Sequence, residues 1–173
     1  MGIIKTYENR ISKIISEPDS GIYDAMNKGI AISTGDILYF LNAGDRLWDK
    51  NVIKKAALEF EKNNALIIYG KSVYENIPKG LEKRYINRPY VFNKKIDAAK
   101  HIIPQQCFFY KKDVFSQIGI FDTKFRVAAD MDWFLRSLNK KIPNHYIDEN
   151  ICVCDLSGIS SFSHVKERIS VFW

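Results

Sequence analysis

The stretch ILYFLNAGD, residues 37–45, does more than any other to limit what this chain can fold into. Residues 37–41 form an unbroken apolar run rich in branched and aromatic side chains. Such a run suits a strand buried on both faces, in a sheet flanked by helices. Asn42-Ala43-Gly44-Asp45 then ends it with small and polar residues. In open α/β sheets, ligands sit just beyond the carboxyl ends of the strands. A carboxylate there, on a short turn containing glycine, can reach a metal ion. Magnesium takes one or two carboxylates and completes its shell with waters and substrate phosphates. Asn, Gly and Asp are also ordinary turn residues. Asp45 therefore reads either as a metal ligand or as a turn aspartate.

The rest of the chain supplies the context. At 173 residues one domain is the default, and 46% hydrophobic content can furnish a core. No apolar run approaches the roughly 18 residues that span a bilayer. Residues 1–5 lack the shape of a signal peptide. A cytoplasmic protein is expected, with peripheral contact at the inner face of the membrane as the variant. The net charge of +6 favours anionic partners. Its lysines, however, are scattered in pairs at 54–55, 94–95, 111–112 and 140–141. A nucleic-acid arm needs a dense basic block, so no nucleic-acid partner is expected. Cys107, Cys152 and Cys154 are odd in number and lack the spacing of a metal site. They read as reduced structural thiols.

In chain order, residues 3–10 read as a short helical piece and 14–15 as a short buried strand. Residues 16–21, SEPDSG, are a loop. Apolar or small residues at 22, 25, 26, 29 and 30 predict a helix over 22–32, capped by Asp19 or Ser20. A second helix is expected over 51–63, capped by Asp49 or Asn51, with Ile53, Ala56, Ala57 and Phe60 on one face. Residues 66–69 read as a strand, and 71–76 with 81–86 as an antiparallel hairpin. Residues 88–103 are irregular. A strand over 107–110, a helix over 113–118 ended by Gly119, and a helix over 130–138 capped by Asp130 follow. Residues 146–147 and 151–154 read as two strands, 157–161 as a turn, and 162–173 as the start of a last helix. Strand and helix alternating early, with hairpin strands later, point to an α/β sheet that is parallel at first and mixed afterwards.

Three segments stand in order: SEPDSGIYDAMNKG, then NAGD, then IPQQCFFY followed by GIFDTKFRVAADMDWFLR. Together they resemble the family 2 glycosyltransferases, the inverting enzymes of GT-A fold that move a sugar from a nucleotide-sugar. The likeness is strongest to bacterial members that build polysaccharides or lipid-linked glycans, and it runs from about Ile14 to Ser161. It implies a GT-A-like mixed sheet flanked by helices. It also implies a preceding strand-helix-strand that carries much of the nucleotide-base pocket. Residues 1–10 read as the end of a helix from that unit, so 1–173 is expected to be a single, N-terminally truncated, partial catalytic domain.

The resemblance assigns roles residue by residue. Asp45 would hold a divalent ion, manganese or magnesium, across the two phosphates of the leaving nucleotide. Asn42 and Gly44 stand where the family is often acidic, which weakens that affinity. Asp130 would be the general base that takes the acceptor hydroxyl's proton, as a carboxylate activates water in inverting glycosidases. The family commonly has Glu-Asp here, whereas this chain has Ala129-Asp130. Asp130 also suits a helix cap. Asp132 is the alternative base, and its spacing equally suits a pair with Arg136. The helix over 22–32 lines the donor pocket in the family, so Gly21, Asp24, Asn27 and Lys28 carry over as donor-binding. Gln106 matches the second residue of a frequent His-Gln pair, while Gln105 departs from the first. Gln106, Asp132 and Trp133 carry over as acceptor-binding, Trp133 by stacking on a sugar ring or else as core.

Two rival readings are open on sequence alone. The chain could be a catalytically inactive relative that binds a ligand or a partner chain, or pairs with a second copy through an exposed sheet edge. A basic module for nucleic acid or anionic lipid would need a concentrated basic face, which the scattered lysines do not supply.

Overall fold

The computed structural model describes residues 2–77, 79 and 103–156. Among these, the helices are α1 (Gly2–Thr6), α2 (Ile22–Ile32), α3 (Val52–Lys62), α4 (Asp113–Ile118) and α5 (Ala129–Asn139). The strands are β1 (Ile37–Tyr39), β2 (Arg46–Leu47), β3 (Ile67–Glu75), β4 (Phe108–Lys111) and β5 (Asn144–Asp155). They form one sheet in the order β1-β4-β3-β5-β2.

β3 is the middle strand, antiparallel to β4 and parallel to β5. Its alternating side chains serve two cores, as the two-residue period of a strand requires. Ile67 and Tyr69 join one cluster with Phe108, Tyr110, Cys152 and Cys154. Ile68 joins the other with Phe109 and Ile151. The first cluster is roofed by α2 (Tyr23, Met26, Ile30), α4 (Val114, Phe115, Ile118) and α5 (Trp133, Phe134, Leu135). The second is roofed by α3 through Val52, Ala56 and Phe60, at successive fourth positions. The mixed sheet with helices on both faces is the expected architecture.

Several local expectations change. β1 and β3 do run the same way, but β4 lies between them and pairs antiparallel with each. The early sheet is therefore mixed rather than parallel. β1 stands at one end of the described sheet, so only Leu38 of its three residues is buried. Residues 14–15 form no strand, and Ile14 and Ile15 are exposed. Residues 71–75 are continuous with 67–69 in one strand, β3, which pairs with β5 up to Asp155. The second hairpin arm (81–86), the irregular stretch 88–102 and the terminal turn and helix lie outside the described residues.

The two strands expected near the end are a single β5. Its pairing with β3 shifts register around Tyr69, Lys71 and Ser72, which absorbs the polar residues 148–150. Gly70 sits at this shift. A Cβ there would lie 2.6 Å from the Glu149 carbonyl oxygen, so glycine is what lets the strands close up. On α3, Ile53 is 58% exposed and the buried stripe begins at Val52 instead.

Capping also differs. Gly21 precedes α2 with φ 125, a value that favours glycine. Neither Asp19 nor Ser20 caps the helix through its side chain. The Asp19 carboxylate accepts from the Gly21 amide (2.9 Å), and Asp24 reaches back to the Ser20 amide (3.0 Å). At α3 the Asp49 carboxylate accepts from the Asn51 amide (2.6 Å), with no side-chain cap from Asn51 itself. The first helical residue of α5 is Ala129, which places Asp130 inside the first turn rather than at the cap.

Candidate active site

The turn after β1 delivers Asp45 to the end of the sheet. Gly44 takes φ 92 to make that turn, and Asp45 is half-buried. Both carboxylate oxygens are held. Oδ1 accepts from the Asp155 amide at 2.9 Å, at the end of β5. Oδ2 accepts from the Gln106 side-chain amide. Gln106 lies on a single 3-10 turn, Gln105–Cys107, that leads into β4. Its carbonyl accepts from the Tyr39 hydroxyl at 2.8 Å. The structure thus joins Asp45 and Gln106, two residues expected at different parts of the site, although 61 positions separate them.

Asp130 stands in the first turn of α5. The Tyr23 hydroxyl lies 2.9 Å from Asp130 Oδ1 and 3.0 Å from the Val127 carbonyl. One hydroxyl proton serves these two acceptors, so Tyr23 ties the first turn of α5 to α2. The same Oδ1 accepts from the Met131 amide at 2.9 Å. Burial raises the pKa of the Tyr110 phenol well above its ordinary value, and the nearby Asp130 charge adds to that. The neighbouring Gln105 amide acts in the opposite sense. Two held carboxylates result, Asp45 bonded by Gln106 and the Asp155 amide, and Asp130 bonded by Tyr23, with Gln105 next to Gln106 in the chain.

Gln105 is the unusual member. It is 3% exposed, and neither Oε1 nor Nε2 makes a hydrogen bond among the described residues. Leaving a buried amide unpaired costs about 1–3 kcal/mol. The sequence points to Gln106 and marks Gln105 only as a departure from a frequent His-Gln pair, and it gives no sign of Tyr23, Tyr39 or Asp155. A buried polar residue is visible only once burial is known, while a tyrosine on a helix face reads as core.

The residues expected to bind the donor sit on α2 and the loop before it. Lys28 bonds Glu17 (2.9 Å), the Pro18 carbonyl (2.8 Å) and Asp24 (3.4 Å). The Ser20 amide is the main reason that the Asp24 carboxyl lies below its usual range; burial opposes this and Lys28 assists. Glu17 is the main reason that Lys28 is raised. These charges fasten loop 16–21 to the helix. Asn27 is bonded at both ends of its amide to the backbone of Phe121, donating to its carbonyl (2.9 Å) and accepting from its amide (3.0 Å). Gly21 is exposed at the start of the helix.

Two of the residues expected to meet the acceptor have other partners. Asp132 pairs with Arg136 at 2.8 Å, the alternative its spacing offered, and Arg136 then bonds the Ile118 and Ile120 carbonyls. Trp133 is a correction. It is 1% exposed, packs against Tyr110, Phe115 and Phe121, and donates from its ring nitrogen to the Gly119 carbonyl at 2.7 Å. Buried on all sides, the ring has no face for a sugar.

Among the described residues no three His, Cys, Asp or Glu side chains converge into a metal cage. Asp45 offers a single carboxylate, with Asp155 close by: a Cβ on Gly44 would lie 3.7 Å from Asp155 Oδ2. Such a donor set fits a hard divalent ion held chiefly by phosphate oxygens and water, and does not fit a protein-only cage.

Comparison with known proteins completes the picture. The family described as Glycosyl transferase family 2 matches residues 2–119. An uncharacterised glycosyltransferase of Mycobacterium tuberculosis is 35% identical over 159 residues, which is 91% of this chain and 58% of that protein. A PGL/p-HBAD biosynthesis glycosyltransferase of Mycobacterium bovis is 31% identical over 121 residues, 69% of this chain and 44% of that protein. The chain thus spans about half the length of these relatives. Among solved structures, S. aureus TarS 1-349 in complex with UDP gives a TM-score of 0.66 at 17% identity, over 89% of this chain and 46% of that one. The same protein in complex with UDP-GlcNAc gives 0.67 at 16%, over 89% and 45%. At this identity the likeness establishes the fold.

Proposed function

The chain belongs to glycosyl transferase family 2, and we propose that it forms part of an enzyme that transfers a sugar from a nucleotide-sugar to a glycan or lipid-linked acceptor with inversion. The observation that carries this reading is the pair of held carboxylates, Asp45 bonded by Gln106 and the Asp155 amide, and Asp130 bonded by the Tyr23 hydroxyl. The binding of UDP and UDP-GlcNAc by the TarS neighbour supports a nucleotide-sugar donor. Among the described residues no helix is long and apolar enough to cross a membrane.

The roles divide by position. Asp45, fixed at both oxygens by the Asp155 amide and Gln106, faces the nucleotide diphosphate. A divalent ion bound there would neutralise charge on the leaving diphosphate. Asp130 takes the proton of the acceptor hydroxyl as that oxygen attacks the anomeric carbon from the side opposite the leaving group. Tyr23 orients the Asp130 carboxylate by its hydrogen bond to Oδ1. Asp24 and Lys28 shape the donor side by holding loop 16–21 against α2. Asp132 acts at one remove, through Arg136.

The test is a transfer assay with UDP-sugars and saccharide acceptors, with the product's anomeric configuration read by NMR. Asp130→Asn keeps the shape but cannot take a proton. It is expected to lose about 10²–10⁴-fold in turnover while nucleotide affinity stays put. Unchanged turnover, or a product that retains the donor's configuration, would contradict the assignment.

A further inference from the structure

We propose that Tyr39 is a positioning residue for the diphosphate site: its hydroxyl holds the backbone of Gln106, and Gln106 in turn holds Asp45 in the orientation that receives the nucleotide. The inference rests on the glycosyl-transfer reading and adds to it a residue that acts at one remove. Tyr39 is the last residue of β1, and Asp45 ends the turn that follows. Both meet the same partner. The Tyr39 hydroxyl donates to the Gln106 carbonyl at 2.8 Å, and the Gln106 side-chain amide donates to Asp45 Oδ2. Gln106 is thus gripped at its backbone and at the end of its side chain, which closes β1, its turn and the 3-10 turn Gln105–Cys107 into a ring. The base of the ring is firm. Tyr39 pairs with Phe109 across β1 and β4, and the two aromatic rings stack with centroids 4.5 Å apart. The outer side is open: Tyr39, Asp45 and Gln106 are half-buried, and Ala43 and Gly44 are exposed.

The chemistry says why such a tether matters. A carboxylate has about four lone-pair sites. The Asp155 amide takes one on Oδ1 and Gln106 takes one on Oδ2. The directions left for a divalent ion or its water are set by where these two donors stand. The Asp155 amide is backbone at the end of β5 and is fixed by the sheet. Gln106 reaches Asp45 through a flexible side chain, from a single 3-10 turn that has no side-chain cap. Its direction is therefore only as fixed as its backbone, and the Tyr39 bond supplies that constraint, as outer partners orient the groups that touch a ligand. Burial is the main reason that the Tyr39 phenol ionises well above its ordinary range, so it stays a donor through neutral and moderately alkaline pH.

Tyr39→Phe removes the hydroxyl and keeps the ring on Phe109. Wild type, Tyr39→Phe, Gln106→Met and the double variant are titrated with UDP and with GDP in the presence of manganese, and their melting temperatures are compared. For the nucleotide that wild type binds, Tyr39→Phe is expected to weaken affinity about two- to tenfold, the range of one net hydrogen bond. In the Gln106→Met background the same change is expected to cost less than about twofold, because the residue it acts through is already gone. A lower melting temperature with nucleotide affinity unchanged would make the hydroxyl purely structural and overturn the proposal. So would an equal loss in both backgrounds, which would route the effect of Tyr39 around Gln106. NMR of the nitrogen-labelled chain gives a reading that does not need the Gln106 variant to fold. There the Gln106 side-chain amide signal is expected to shift in Tyr39→Phe, and an unmoved signal would overturn the proposal. A folded wild type that binds neither nucleotide would overturn the glycosyl-transfer reading itself, and this proposal with it; the other contrary results leave that reading in place.

Discussion

Asn27 illustrates how a single side chain here does architectural work beside the site. Its amide closes two hydrogen bonds with the backbone of Phe121, joining α2 to the segment between α4 and α5. Asn27→Ala leaves a half-buried carbonyl and amide of Phe121 without partners. It should cost about 1–3 kcal/mol, measured by urea unfolding. Tyr23 carries a second, separable role. Its ring is core, at 6% exposure and 5.5 Å from Phe121, while its hydroxyl reaches Asp130. Tyr23→Phe should leave stability within about 1.5 kcal/mol, the net worth of one hydrogen bond, and lower kcat with little change in KM. A rise in KM at unchanged kcat would show that Tyr23 serves binding and does not orient Asp130. The sequence makes the spacing of Asp24 and Asn27 on one helix face legible. It does not disclose that Asn27 bonds a backbone 94 positions away, because local spacing carries no information about distant partners.

At the scale of elements, punctuation decided what was readable. α2 and α4 run as expected to the residue, because Gly21, Ser33 and Gly119 mark their ends. Residues 14–15 misled because two branched residues resemble a strand, whereas a strand exists only where another chain segment pairs with it. β5 misled in the opposite sense. Asp148, Glu149 and Asn150 interrupt its alternation, yet the register shift against β3 carries the strand through them. Gly70 is the hinge of that arrangement. Gly70→Ala would push a Cβ to 2.6 Å from a backbone oxygen, and to 2.8 Å from the Ile151 side chain. The central strand pair cannot yield without breaking its ladder, so the cost should reach about 3 kcal/mol, the upper part of the overpacking range. Chemical denaturation of this one variant checks it; a loss under about 0.5 kcal/mol would show that the pair is plastic.

The whole molecule has an alkaline weakness built into its core. Cys107, Cys152 and Cys154 are free and buried, with sulfur atoms 3.6 Å apart in the first pair and 3.3 Å in the second. The hydrogen bond with Cys107 is the main reason that Cys152 ionises far above the ordinary thiol range, and the bond with Cys152 is the main reason for Cys154. Groups whose pKa is raised by folding stabilise the protein fully below their unfolded value, and that contribution is lost as pH climbs. From the ordinary thiol value of 9.0 upward, the unfolded chain releases protons that the folded chain keeps. Stability should therefore fall steadily above pH 9, and less steeply in a Cys152→Ala, Cys154→Ala double variant. Equal slopes in the two proteins would contradict this. Cys152 and Cys154 lie on β5, whose last residue, Asp155, donates its amide to Asp45. The sequence shows three unpaired cysteines and a turn aspartate; only the sheet order brings them together.

The central claim is that Asp45, held by Gln106 and the Asp155 amide, receives a nucleotide diphosphate. Calorimetric titration of the chain with UDP, and then GDP, each with and without manganese, tests it most directly. The account predicts binding to one nucleotide that strengthens with manganese and disappears in Asp45→Ala. A folded chain that binds neither nucleotide, or binds one equally well after Asp45→Ala, would contradict it.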